Sequence, residues 1–259
     1  MVLEYEKQGK IAKFTINRPY AMNSLGEGLG EQLLSSLKDF QNDPQLWVGI
    51  LTATGDRAFC VGADLKSWAQ GTGKAPKITT RQSNYWHEMT HELQLWKPML
   101  AAINGYALGG GLELALLCDI RIAAEHARFG LPEVTRGFMP GGGGIQRLTR
   151  MLNRCHAAEI LLTGKHISAE EAYRIGLINK VVPMEKLMLT TMEYAETIAQ
   201  AAPLSVRAVK EAIIRGSSMT LEEAFKLDRQ LSSHIIVSED FSEGVNAFAQ
   251  KRKPVWKGK

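Results

Sequence analysis

The chain has 259 residues, 45% of them hydrophobic and 22% charged, with a formal net charge of +4. That balance describes a globular protein of one large domain, or a main domain with an appendage, and no apolar run reaches the length of a membrane span. The positive charge sits at the end of the chain: Lys251 to Lys259 hold five basic groups and no acid, and the remainder has 26 basic against 27 acidic groups, which argues against a nucleic-acid-binding face.

The first residues, Met1 to Lys7, contain acids and no apolar h-region, so no secretory signal is expected. Val2 to Lys7 and Ile11 to Ile16 alternate around Gln8-Gly9-Lys10 and predict a hairpin. Leu29, Leu33, Leu37 and Phe40 share one helical face. Trp47 to Thr52 is a short apolar strand, and Gln70 to Lys77 reads as a mobile loop. Pro98 to Ile103 and Cys118 to Ala123 are two further strands, and the alternation with helices predicts an α/β core. From Gly141 the pattern turns helical. Ser168 and Thr220, each with Glu three residues on, are capping-box starts. Pro203 opens a helix with Val206, Val209 and Ile213 on one face, and Leu221, Ala224, Leu227, Leu231 and Ile235 line another. A boundary near residue 200 divides a core, 1–200, from a helical extension, 201–259. Cys60, Cys118 and Cys155 are odd in number and widely spaced. They read as reduced thiols in a cytoplasmic compartment, not as a disulfide frame or a zinc knuckle.

The stretch from Asn104 to Glu113 carries the most chemistry. An apolar strand runs into Gly109-Gly110-Gly111 and opens into the helix Leu112 to Leu117. Glycines at a strand-to-helix junction leave backbone N–H groups free to hold an anion. Glu113 then sits one turn into an apolar helix, where a carboxylate is costly unless it is paired or used. Read alone it is a helix-start acid favoured by the dipole, and Glu133, in Phe129-Gly130-Leu131-Pro132-Glu133, is a surface acid.

Several further motifs stand in order: Asn17-Arg18-Pro19 with Asn23-Ser24-Leu25, Ala58 through Gly62-Ala63-Asp64-Leu65-Lys66, and Pro140-Gly141-Gly142-Gly143-Gly144 with Gln146-Arg147-Leu148. Together with the Asn104–Glu113 and Phe129–Glu133 stretches, the chain resembles the crotonase superfamily of enoyl-CoA hydratases and isomerases, nearly end to end. The resemblance implies an α/β spiral of ββα repeats with C-terminal helices that pack on the core or on a neighbour in a trimer or hexamer. It implies an acyl-CoA thioester as substrate, neither nucleic acid nor a membrane as partner, and no metal or cofactor beyond the CoA of the substrate. Ala63 and Gly110 become the two backbone donors of an oxyanion hole, and Glu113 and Glu133 the acid–base pair of a hydratase. Ala63, Asp64, Leu65, Lys66, Gly110 and Lys251 become the contacts to the CoA thioester. The acyl pocket is expected from residues 65–95 with Leu131, Met139 and Pro140, and Trp68, Tyr85, Trp86 and Trp96 as enclosing aromatics.

Rival readings remain. An enoyl-CoA isomerase needs one of the two carboxylates, and the tail from Pro254 to Gly258 also resembles the carnitinyl-CoA dehydratase branch. His87-Glu88-Met89-Thr90-His91 spells the H-E-x-x-H of zinc proteases. A non-catalytic RNA-binding relative would lack one of the glutamates, and neither is missing.

Overall fold

A computed structural model describes residues 1–26, 28–70 and 85–259, except the side chains of residues 67, 68 and 70. The mobile-loop reading of Gln70 to Lys77 falls almost wholly outside them. Strands β1 (Leu3–Gln8) and β2 (Ile11–Ile16) form the expected hairpin. β3 (Val48–Ala53), β5 (Met99–Ile103), β7 (Ile120–Ala124) and β10 (Lys180–Val182) extend it in parallel into a six-stranded sheet ordered β1-β2-β3-β5-β7-β10. β3 and β5 are buried at every position, as parallel strands covered on both faces must be. The pleat sorts their side chains. Leu51, Ala101 and Ile103 join the cluster under the helix Leu29–Asn42, while Ile50, Leu100 and Ala102 join the cluster under the helix Leu187–Ala199. Full burial of each large apolar side chain contributes roughly 1.5–3 kcal/mol.

The second sheet is built from short strands: β4 (Ala58–Cys60), β6 (Tyr106–Leu108), β8 (Arg128–Gly130) and β9 (Ile167–Ser168), in that order. β4, β6 and β8 each follow a strand of the large sheet and lead to helical structure, whereas β9 follows the helix Arg154–Thr163. β3-β4, β5-β6 and β7-β8 are thus successive turns of one spiral, in agreement with the ββα expectation. Thr220 caps its helix with both arms of a capping box. Ser168 makes only the first arm, because Glu171 turns its carboxylate to Arg174 instead.

Beyond Pro203 the character of the chain changes. The helices Pro203–Gly216, Leu221–Ile235 and Glu239–Ala249 bury few side chains, and Val209, Ile213, Leu221, Phe225, Phe241, Val245 and Phe248 are exposed. The apolar stripes expected on these helices exist, but of the Leu221 stripe only Leu227 is buried within the chain. The basic tail is not a loose end. Glu243 takes a bidentate pair from Arg252 and the Val255 N–H, and Asp240 accepts the N–H groups of Lys257 and Gly258. Trp256 donates to the Gln200 carbonyl at 2.6 Å. No helix among the described residues is long and apolar enough to cross a membrane.

Candidate active site

The strands β4, β6 and β8 are parallel neighbours, so their carboxyl ends lie side by side, where parallel sheets place their ligands. Each end delivers one part of a site: Gly62-Ala63 after β4, Gly109-Gly110 after β6 and Leu131-Pro132-Glu133 after β8. Leu25 forms a parallel bridge with Ala63, with its N–H on the Gly62 carbonyl at 2.8 Å and its carbonyl accepting the Asp64 N–H at 3.4 Å. Those bonds flank Ala63 and turn its own N–H to the other side. Gly110 is the first residue of the helix Gly110–Leu117, where an N–H has no intrahelical partner. Neither N–H has an acceptor among the described residues. A Cβ on Gly62 would stand 2.8 Å from the Gly110 nitrogen, so the two donors are adjacent. Gly109, at φ 53° and ψ −128°, takes a backbone shape that a side chain would strain, and a Cβ there would meet Glu133 Oε1 at 3.1 Å. A pair of fixed N–H groups in a buried site is suited to a carbonyl oxygen that gains negative charge.

Two carboxylates flank these donors. Glu113 is buried, and its Oε1 accepts the N–H groups of Gly142 at 2.7 Å and Gly144 at 2.8 Å. Burial pushes its pKa up, and the two N–H bonds and the Arg147 charge pull against that rise. Glu133 is also buried, but its Oε2 has no hydrogen-bond partner among the described residues. Burial pushes its pKa to about 7; a local backbone hydrogen bond and Arg136 oppose the rise, while the Glu113 charge adds to it. The pair thus holds one carboxylate supplied with donors and one poised to carry a proton near neutral pH.

An apolar wall closes the site. A Cβ on Gly110 would stand 2.7 Å from Leu25 Cδ1 and 3.4 Å from the Trp86 ring, and one on Gly142 would stand 2.5 Å from the same ring and 2.6 Å from Glu113 Oε2. Gly142 therefore lets the backbone reach the carboxylate where no side chain fits. Leu131 packs beside Glu113 at the Gly144 position.

The sequence profile described as Enoyl-CoA hydratase/isomerase matches residues 6–259. The chain belongs to this enoyl-CoA hydratase/isomerase family. It is 40% identical to the mitochondrial enoyl-CoA hydratase of Pongo abelii, over 97% of this chain and 86% of that one. It is 39% identical to the carnitinyl-CoA dehydratase of Salmonella typhi, over 99% and 98%. The crystal structure of an enoyl-CoA hydratase from Bacillus anthracis superposes with a TM-score of 0.95 at 39% identity, covering 100% of both chains. The crotonase-like α/β fold is thereby shared in full.

Within this hydratase/isomerase chain, Ala63, Gly110, Glu113 and Glu133 come together from segments distant in sequence. The other expected contacts do not join them. Asp64 sends its carboxylate towards buried Arg18, 3.5 Å away, and Leu65 opens the helix Leu65–Gln70 with Lys66 exposed beside it. Lys251 is exposed beyond the last helix, and neither it nor Lys253 has an ion-pair partner among the described residues. Of the four aromatics, Trp86 alone is seen at the site. Tyr85 turns outward to Glu31, Trp96 lies by Gln41, and the Trp68 side chain is outside the described residues. Met139 is exposed and Pro140 buried. His87 and His91 do share a face, with rings stacked at 4.5 Å, but Glu88, the would-be base of a zinc protease, pairs with Lys38. No group of three or more His, Cys, Asp or Glu among the described residues is arranged to hold a metal.

Residue-by-residue reading missed four participants: the Gly142 and Gly144 N–H groups as donors to Glu113, Leu25 as a wall, and Arg147 behind the loop. The Gly141–Gly144 run signalled close approach, but not what approached.

Proposed function

We infer that this protein adds water reversibly across the 2,3 double bond of a 2-enoyl-CoA thioester. The observation that carries the reading is the unequal pair of buried carboxylates, Glu113 and Glu133, beside two free main-chain donors. Family membership and relatives named as hydratases support it.

The thioester oxygen sits between the Ala63 and Gly110 N–H groups, which hold the negative charge that spreads onto it as C3 is attacked. One such donor typically contributes about 3–4 kcal/mol to the transition state. Glu113, kept ionised by its two N–H bonds, takes a proton from water as the water oxygen bonds to C3. Glu133, raised towards neutral pH, gives its proton to C2 as the enolate collapses. Overall, one O–H bond of water and the C2=C3 π bond break while one C–O and one C–H bond form, and return of a proton from Glu113 to Glu133 resets the site. With both carboxylates on one side of the substrate, addition is syn. General acid–base groups of this kind contribute roughly 10²–10⁴-fold.

The walls Leu25, Trp86 and Leu131 are apolar, which favours an uncharged acyl group over a carnitinyl one. Isomerase activity follows as a side reaction, because proton removal from a 3-enoyl-CoA gives the same stabilised enolate. The exposed apolar faces after Pro203 favour a trimer or hexamer, and a light-scattering mass of one chain would overturn that. Three free cysteines, two of them buried, fit a reducing, cytoplasmic compartment.

The test is a panel of 2-enoyl-CoA substrates of varied length, branching and charge, followed through the absorbance of the conjugated thioester. Solvent ¹⁸O should enter the 3-hydroxyacyl product. If no substrate of the panel is hydrated at high enzyme concentration, the reading fails.

A further inference from the structure

Arg147 lies one turn into the helix Gly144–Met151, directly behind the glycine loop. Its Nη1 donates to the Gly142 carbonyl at 2.8 Å, and its Nη2 donates to the Thr90 carbonyl. The first acceptor belongs to the loop whose N–H groups grip Glu113. The second lies in the turn Glu88–Glu92, which follows Trp86, and the Thr90 hydroxyl donates back to the Trp86 carbonyl at 2.7 Å. Carbonyls in a last helical turn lack partners within the helix. A planar, forked cation can satisfy one of them and reach a second acceptor through a rigid fork, which the compact, freely rotating ammonium of a lysine lacks. Burying a guanidinium is unfavourable unless its donors are used.

We propose that Arg147 is a positioning residue for Glu113: by tying the Gly142 carbonyl to the Thr90 carbonyl, it holds the grip on the carboxylate and the Trp86 wall of the acyl pocket as one rigid unit. The inference rests on the hydratase reading of Glu113 given above. An acyl group that presses on Trp86 then acts on the base through a short chain of hydrogen bonds: Trp86, Thr90, Arg147, Gly142, Glu113. Charge acts in the same direction. Arg147 favours ionised Glu113 against the cost of burial. Among the described residues, the other titratable groups around this unit are Glu133, from the 3-10 helix after β8, raised by burial and further by the Glu113 charge, and His91, from the Glu88–Glu92 turn, lowered by burial and further by His87 and Arg147.

Arg147→Met and Arg147→Lys, made in the full chain, test it with a substrate that the wild type hydrates. Displacing a reacting group by an ångström can cost about a hundredfold. Arg147→Met should lose kcat on that order while KM moves far less. Its acidic limb, set by ionisation of Glu113, should move to higher pH. Arg147→Lys should restore the limb, having the charge, but not kcat, lacking the fork. Wild-type kcat in Arg147→Met overturns the proposal. So does a fall in kcat that comes with a lower Tm and an unmoved limb, the signature of a merely structural residue. A second readout needs no turnover: ¹³C titration of the Glu113 carboxyl, assigned by its loss in Glu113→Gln. An upward move in Arg147→Met supports the proposal and an unchanged titration overturns it. If the wild type hydrates nothing but that titration moves, the hydratase reading falls and the positioning role stands.

Discussion

Glu113 and Glu133 are buried to the same degree, 2% and 4% exposed, yet their surroundings are opposite. Glu113 comes from a helix and meets a glycine loop that gives it two N–H bonds. Glu133 comes from the short 3-10 helix Pro132–Arg136 and keeps one oxygen without a partner among the described residues. Burial raises the pKa of both; the supply of donors is what separates them. On the proposed mechanism, position in the fold, more than residue type, thus makes one carboxylate the proton acceptor and the other the donor.

The comparison breaks most sharply by removing each carboxylate in turn. Glu113→Gln and Glu133→Gln keep volume but cannot exchange protons, and each should lower kcat by about 10²–10⁴-fold with acyl-CoA binding retained in a calorimetric titration. Near-wild-type turnover in either variant would remove its assigned role.

A smaller effect sharpens the contrast through pH. The folded-state pKa of Glu133, about 7, lies above its ordinary value of 4.5, so folding favours the protonated form. That contribution is fully present below pH 4.5 and is lost as pH rises through about 7. Wild-type Tm should therefore decline from about pH 5 to about pH 8, and Glu133→Gln should flatten the decline. Hydration should weaken as pH rises through about 7, where folded Glu133 loses the proton it must give. A Tm profile identical in wild type and Glu133→Gln would refute the assignment.

The smallest effect lies outside the pair. Two of the tail's five basic groups, Arg252 and Lys257, are paired with Glu243 and Glu239, which leaves Lys251, Lys253 and Lys259 as its exposed lysines without an ion pair among the described residues. If Lys251 meets a phosphate of CoA on a neighbour, Lys251→Gln should raise KM about two- to fivefold, the worth of an exposed charge pair. Added salt should erase the difference and kcat should stay put. An unchanged KM at low salt would leave Lys251 a solvated end.

What could be read from the sequence follows how local each feature is. The hairpin, the helix from Leu29 and the strand–glycine–helix at Gly110 are fixed by neighbours a few residues apart, and periodicity shows them. The strands β4 and β8 have three residues each, too few for any period to register, and the two-sheet spiral came through family resemblance. The grip on Glu113 comes from residues 29 and 31 positions away, and Arg147 reaches Thr90 across 57. No local pattern encodes such pairings. The tail misled in another way: counting its charges could not reveal that Asp240 and Glu243 hold it down.

The donors proposed for the oxyanion hole, Ala63 and Gly110, are main-chain groups, and that bears on how such a protein can change over generations. Nineteen of the twenty amino acids carry the same N–H, and only proline lacks it. A random codon change at either position therefore rarely deletes the donor, though it can crowd the space around it. The glutamates have no such insurance, since one substitution abolishes a carboxylate. On the proposed mechanism, enolate stabilisation is thus the inherited constant of this scaffold, and the proton-handling side chains around it are the part free to be rewritten for another reaction.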